Sequence, residues 1–224
     1  TQIQAAFIPA ARAGENLIGE APTGTGKTLA YLLPILERID PAARMAQALI
    51  LAPTHELAMQ IAGVAREIAQ AAGLPVGVQT LIGGANVKRQ MEALKKKPAI
   101  IIGSAPRILE LHRLGKLKLM GVKLLVLDEF DRLLGKQHLD EVRTVIRLLG
   151  EERQVLLLSA TAGTAAMRMA GEFSPARLIR VEGTNDTYEN YYHIVSFRDK
   201  IKAVQKLTRR LPIKRGLVFV GRSF

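Results

Sequence analysis

Residues 21–28 read Ala21-Pro22-Thr23-Gly24-Thr25-Gly26-Lys27-Thr28, a glycine-punctuated turn closing on Gly-Lys-Thr, and its two flanks decide how it folds. Before it, Asn16 to Glu20 is a short apolar run of strand length; after it, Leu29 to Ile39 spaces its apolar residues as one face of a helix. Strand, loop and helix in that order make a phosphate-binding loop. Backbone N–H groups of Gly24 to Thr28 then converge at a helix N-terminus, where the helix dipole favours negative charge. Lys27 is placed to reach the outer phosphates of a nucleoside triphosphate, and the Thr28 hydroxyl to ligate magnesium. The strict pattern wants glycine at the first position, where this chain has Ala21.

Further out, short apolar runs at 48–52, 76–81, 99–103, 124–128, 155–159 and 178–181 alternate with helical periodicity at 56–72, 86–96 and 139–149. Such alternation predicts an α/β fold with a doubly wound, mainly parallel sheet. Ligands in these sheets sit at the carboxyl ends of the strands. The phosphate loop, a carboxylate cluster at Asp128 and the triplet Ser159-Ala160-Thr161 all follow such ends, on one edge of the sheet.

A chain of 224 residues that is 48% hydrophobic can bury a full core, which excludes disorder. It contains no apolar run of bilayer length and no basic leader before an apolar core, so the expectation is a cytoplasmic protein with no membrane partner. The lack of cysteine excludes disulfides and thiolate metal sites, and the four histidines are scattered. Magnesium carried in with a nucleotide is the metal to expect. A net charge of +12 points to a polyanionic partner, whereas Lys95-Lys96-Lys97 by itself reads as a solvated helix end.

The second chemical signal is Leu124-Leu125-Val126-Leu127-Asp128-Glu129-Phe130-Asp131, an apolar strand delivering three carboxylates. Asp128 is placed to hold a nucleotide's magnesium through water, and Glu129 to polarise the water that attacks the γ-phosphate. Near 182–189 the pattern breaks into polar residues. Beyond it, 191–195 alternates like a strand, 199–210 reads as a basic helix and 216–220 as a buried strand, too little for a core of its own. The predicted organisation is one domain over 1–183, a linker over 184–190 and the opening of a second domain over 191–224.

These segments together resemble the helicase core of the DEAD-box ATP-dependent RNA helicases, in a variant whose signature reads DEFD, along the whole chain. The resemblance implies a RecA-like P-loop NTPase domain followed by the start of a second RecA-like domain. In that family alanine is normal where Ala21 stands. Thr1-Gln2-Ile3-Gln4 is similar to the end of the family's Q motif, which implies that Gln4 reads the adenine edge. ATP would then be held by Gln4 and by Ala21, Pro22, Thr23, Gly24, Thr25, Gly26, Lys27 and Thr28. Magnesium would sit at Thr28 and Asp128, with Lys27, Asp128 and Glu129 as the catalytic set. Ser159-Ala160-Thr161 resembles the motif that links ATP state to strand separation, with Asp131 bonding to Ser159 or Thr161.

Three more segments carry the resemblance to nucleic-acid contacts. Pro53-Thr54-His55-Glu56-Leu57-Ala58 resembles PTRELA, Gly83-Gly84 the glycine doublet, and Gly103-Ser104-Ala105-Pro106-Arg107 a degraded GTPGR. Pro53, Thr54, His55, Gly83, Gly84, Ser104 and Arg107 are the contacts this implies. Backbone N–H groups and small hydroxyls suit phosphate oxygens and read little sequence, and contacts to the 2′-hydroxyl separate RNA from DNA. His55 replaces an arginine, Pro106 cannot donate an N–H, and Phe130 adds bulk beside the Ser159 loop. Nothing resembles HRxGRxGR, the source of the family's arginine fingers. The implied function is an ATP-dependent RNA helicase core acting on single-stranded or short duplex RNA with a second RecA-like domain in cis. An ATP-gated RNA clamp or ribosome-assembly factor, and a DNA-directed P-loop helicase, are the alternatives.

Overall fold

The computed structural model describes residues 1–173, 175–182 and 194–211. The chain divides into two compact units, Thr1–Gly183 and Thr184–Phe224. In the first, β2 (Ala48–Leu51), β4 (Ile100–Gly103), β5 (Leu124–Asp128) and β6 (Gln154–Ser159) are buried at every position. Strands that are apolar from end to end belong in a parallel sheet, because crossover helices cover both its faces. With β1 (Leu17–Glu20), β3 (Val78–Leu81) and β7 (Arg177–Arg180) they form a seven-stranded sheet ordered β3-β4-β2-β5-β6-β1-β7. Every pairing is parallel, so the expected mainly parallel sheet is wholly so.

Side chains alternate between the two faces. Ile50, Ile102, Val126, Leu156 and Leu158 join one core layer with Phe7 of α1 (Gln2–Arg12), Tyr31 of α2 (Lys27–Arg38) and Ile61 of α3 (His55–Ala71). Leu49, Leu51, Ile101, Leu125 and Leu127 join the other with Ile108 of α5 (Ala105–Arg113), Phe130 of α6 (Phe130–Leu133), Val142 of α7 (Leu139–Arg147) and Ala170 of α8 (Thr164–Phe173). Between β3 and β4 runs α4 (Val87–Leu94).

Helix α1 forms despite Pro9 in its interior. Thr1 caps it in a reciprocal box with Gln4, and Ile3 and Phe7 are fully buried. At roughly 1.5–3 kcal/mol for each large apolar side chain, that burial offsets the ~3 kcal/mol of an interior proline. The helix is then stapled to the sheet by buried Gln154, whose Nε2 donates to the carbonyls of Ala11 (2.9 Å) and Glu15 (2.6 Å) and whose Oε1 accepts from Arg38. Edge strand β7 carries Arg177 and Arg180, paired with Glu15 and Glu20, and such charge blunts edge-to-edge association.

In the second unit, a 3₁₀ turn at Phe197–Asp199 leads into α9 (Lys200–Arg210), where the basic helix was expected. The linker expected over 184–190, most of the strand expected over 191–195 and the strand expected over 216–220 lie outside the described residues.

Candidate nucleotide and nucleic-acid site

All the motif loops leave carboxyl ends of the sheet, and the strand order sorts them into two neighbouring groups. Strands β5, β6 and β1 are adjacent and carry the Asp128 cluster, Ser159 to Thr161 and the 21–28 loop. Strands β3, β4 and β2 are adjacent and carry Gly83-Gly84, Ser104 to Arg107 and Pro53 to His55. The groups meet where β2 pairs with β5, Leu51 opposite Leu127.

The 21–28 loop starts tied to its neighbour, with the Ala21 N–H donating to the Ser159 carbonyl at 3.2 Å. Gly24 and Gly26 both take left-handed backbone, at φ 82° and 90°. At Gly26 space also forbids a side chain, since a Cβ would collide with the Gln4 carboxamide, which donates to the Gly26 carbonyl at 3.1 Å. Gln4 therefore touches the phosphate loop itself. The Lys27 ammonium donates to the carbonyls of Ala21 (2.6 Å) and Pro22 (3.0 Å), and the Thr25 hydroxyl to Pro22 (2.7 Å). Partial burial lowers the Lys27 pKa, against the carboxylates of Asp128, Glu129 and Asp131, which raise it.

Asp128 is 4% exposed at the end of β5. Its Oδ2 accepts from the fully buried Tyr31 hydroxyl at 2.9 Å and its Oδ1 from the Glu129 N–H at 3.0 Å. Burial pushes the Asp128 pKa up, while these two hydrogen bonds and Lys27 pull it back. Burial, followed by the Asp128 charge, drives the Tyr31 pKa far up. The Tyr31 hydroxyl thus holds in place Asp128, one of the two groups expected to hold magnesium. The sequence reading missed Tyr31; its only signal is its spacing after Lys27, which turns it to the buried face of α2.

Glu129 is a non-glycine residue in left-handed backbone, φ 53°, and such conformations concentrate at functional sites. Its carboxylate pairs with Arg132 at 2.8 Å, another residue the sequence reading passed over. The Thr161 hydroxyl donates to Asp131 Oδ2 at 3.2 Å. Ser159 does not take part in that bond; its buried hydroxyl donates to the Thr161 carbonyl (2.6 Å) and accepts from the Thr161 N–H (3.1 Å), closing the turn on itself. Phe130 lies fully buried in the core.

In the other group, Thr54 caps α3 by accepting from the Leu57 N–H at 3.2 Å, and exposed His55 lays its ring on the doublet, its Nε2 3.3 Å from where a Gly83 Cβ would stand. Ser104 is the N-cap of α5 without spending its side chain on the cap, and Pro106 stands in the helix's first turn. An N–H there has no intrahelical partner, so proline costs the helix nothing. Arg107 is the exception among the expected contacts: it is 8% exposed, turned inward and paired with Glu110 at 2.8 Å. A cavity of about 320 Å³ opens between these residues, lined by Pro53, His55, Gly83, Ser104, Arg107 and His138 among others.

The donor set suits a magnesium-bound nucleoside triphosphate. A left-handed glycine loop opens onto a lysine and a threonine, opposite a buried carboxylate held by hydrogen bonds. Comparison with known proteins agrees. A Bacillus cereus protein named DEAD-box ATP-dependent RNA helicase CshC is 42% identical over 218 residues, 96% of this chain and 55% of its own. RNA helicase CrhR of Synechocystis is 34% identical over 226 residues, 98% of this chain and 45% of its own. The chain thus spans about half the length of the curated relatives it matches. Among solved structures, a DEAD box protein from Methanococcus jannaschii superposes with a TM-score of 0.75 at 28% identity, covering 94% of this chain and 57% of that one. S. cerevisiae Dbp5 bound to RNA and ADP BeF3 does so at 0.74 and 30%, covering 81% and 46%. A sequence profile described as DEAD/DEAH box helicase matches residues 1–169, and the chain belongs to that family.

Proposed function

We propose that this chain is the ATP-binding half of an RNA-dependent ATPase, the core of an ATP-dependent RNA helicase that binds RNA and parts short duplexes locally. The observation that carries this reading is the sorting of the loops. A nucleotide group and a nucleic-acid group share one edge of one sheet and meet at the β2–β5 pair. Residues 1–183 form the ATP-binding RecA-like domain, 184–190 the linker and 191–224 the opening of a second RecA-like domain. The protein acts in the cytoplasm; among the described residues no helix is long and apolar enough to cross a membrane.

Residues 21–28 bind the phosphates of ATP, Gln4 lies on the adenine side, and Thr28 and Asp128 hold magnesium. That ion supplies charge neutralisation at the transferred phosphoryl group. Lys27 exchanges its bonds to the Ala21 and Pro22 carbonyls for phosphate oxygens. Glu129, held in strained backbone at the strand end, accepts the proton of the attacking water. Asp131 and Thr161, bonded to each other, tie the β5 loop to the β6 loop, so a change at the phosphates reaches the turn at Ser159. Pro53, Thr54, His55, Gly83, Gly84 and Ser104 present small polar groups and backbone to RNA phosphates. Support for RNA over DNA comes from the relatives, which carry RNA helicase in their names.

The test is ATP hydrolysis by the natural full-length protein with single-stranded RNA or DNA, with Glu129→Gln as control. Stimulation by RNA alone, abolished in the variant, is the expected result; equal stimulation by DNA would refute RNA dependence.

A further inference from the structure

Two buried side chains reach the glycine-doublet loop from behind. Gln90 of α4, 6% exposed, donates Nε2 to the Ile82 carbonyl at 2.9 Å. Arg107 of α5 donates Nη1 to the Ala85 carbonyl at 3.2 Å, while its Nε lies 2.8 Å from Glu110 Oε2. The two carbonyls bracket Gly83 and Gly84. A third tie, from the Ser104 N–H to the Leu81 carbonyl at 3.1 Å, fastens the strand end just before them. A loop with two successive glycines has more conformational freedom to lose than any other. Left loose, it would charge that ordering to ligand binding.

We infer that Gln90 and Arg107 are positioning residues that hold 82–85 as a preset backbone cradle for RNA phosphates, and that Arg107 does not itself meet RNA. The inference rests on the proposed RNA binding and deepens it. Two of the three guanidinium nitrogens of Arg107 are engaged, Nε with Glu110 and Nη1 with the Ala85 carbonyl, and the side chain is only 9% exposed at the cavity wall, so a phosphate could be met from Nη2 alone. A charged hydrogen-bonded group at that depth is spent on structure. Gln90 carries no charge and has no other visible employment. Its Oε1 is buried without a hydrogen-bond partner, so the bond from its Nε2 to the Ile82 carbonyl is what the side chain contributes.

The salt dependence of RNA binding separates bracing from contact. A side chain that neutralises a phosphate adds about 0.7 to the slope of log affinity against log salt on a single strand, whereas a brace changes affinity without changing slope. Binding of labelled oligouridine by the natural full-length protein would be measured with a non-hydrolysable ATP analogue present, for the parent, Arg107→Gln and Gln90→Met, each checked for folding by thermal melting. Both variants are expected to bind about three- to tenfold more weakly with the parental slope. A slope flatter by about 0.7 in Arg107→Gln would overturn the inference, and so would parental affinity in Gln90→Met. Should Arg107→Gln not fold, Gln90→Met decides alone, because it removes an unpaired acceptor and fills the same space. A full-length parent that binds no oligouridine at low salt would sink the RNA reading itself, an outcome distinct from a changed slope.

Discussion

Asp128 and Tyr31 set the residue-scale energetics of the site. A carboxylate that is 4% exposed weakens the fold when ionised, and it is kept for its chemistry. Its folded-state pKa lies above the unfolded value, so between the two the folded form retains a proton that the unfolded chain has released. Stability linked to Asp128 is therefore present below about pH 3.9 and lost as pH rises through the raised value. Asp128→Asn should melt above the parent near neutral pH and lose that margin as pH falls toward the ordinary carboxylate range. Melting curves across pH would check it, and a margin constant with pH would refute the charge as cause. Tyr31→Phe withdraws a donor from the same carboxylate. Leaving that acceptor short costs ~1–3 kcal/mol, so melting should fall by several degrees and nucleotide binding should need more magnesium. An unchanged melting temperature would show that Asp128 finds another donor.

At the scale of elements, the strands were legible and several helices were not. Runs such as Ile100 to Ile102 and Leu124 to Leu127 can be placed from sequence because a strand buried on both faces tolerates no polar interruption. Helix α1 escaped because Pro9 speaks against a helix locally, and only burial of Ile3 and Phe7 against tertiary neighbours overrides it. Helix α5 escaped for a related reason: Pro106 looks like a breaker until it is seen to occupy the first turn. Helix α8 buries only Ala170, too faint a pattern to read. The gathering of the motif loops at one edge of the sheet was legible from the strand ends they follow. The bond from Tyr31 to Asp128, the brace from Gln90 and the inward turn of Arg107 join distant parts of the chain, and no local pattern records them. The first turn of α5 yields its own prediction. Pro106→Gly, which restores the residue that the resemblance leads one to expect, should weaken the fold by about 0.4–1 kcal/mol through the freer unfolded chain. A raised urea midpoint would contradict that.

For the whole molecule, charge and completeness matter most. The net charge of +12 should make RNA binding fall steeply with salt, apart from any specific contact. No arginine-finger segment is found in these 224 residues, and such a finger is worth roughly a thousandfold or more in phosphoryl transfer. This chain should accordingly bind magnesium-ATP yet hydrolyse it far more slowly than the full-length protein. Equal turnover by the two would place the missing charge within this unit. The strand order also has a bearing on synthesis. The phosphate loop hangs from β1, whose partners among the described residues, β6 and β7, are residues 154–159 and 177–180. A nascent chain displays this loop well before the strands that anchor it, because β6 and β7 are made more than a hundred residues after β1. Until then its apolar residues are open to chaperones and to wrong partners, and the ability to bind nucleotide should be acquired late and abruptly.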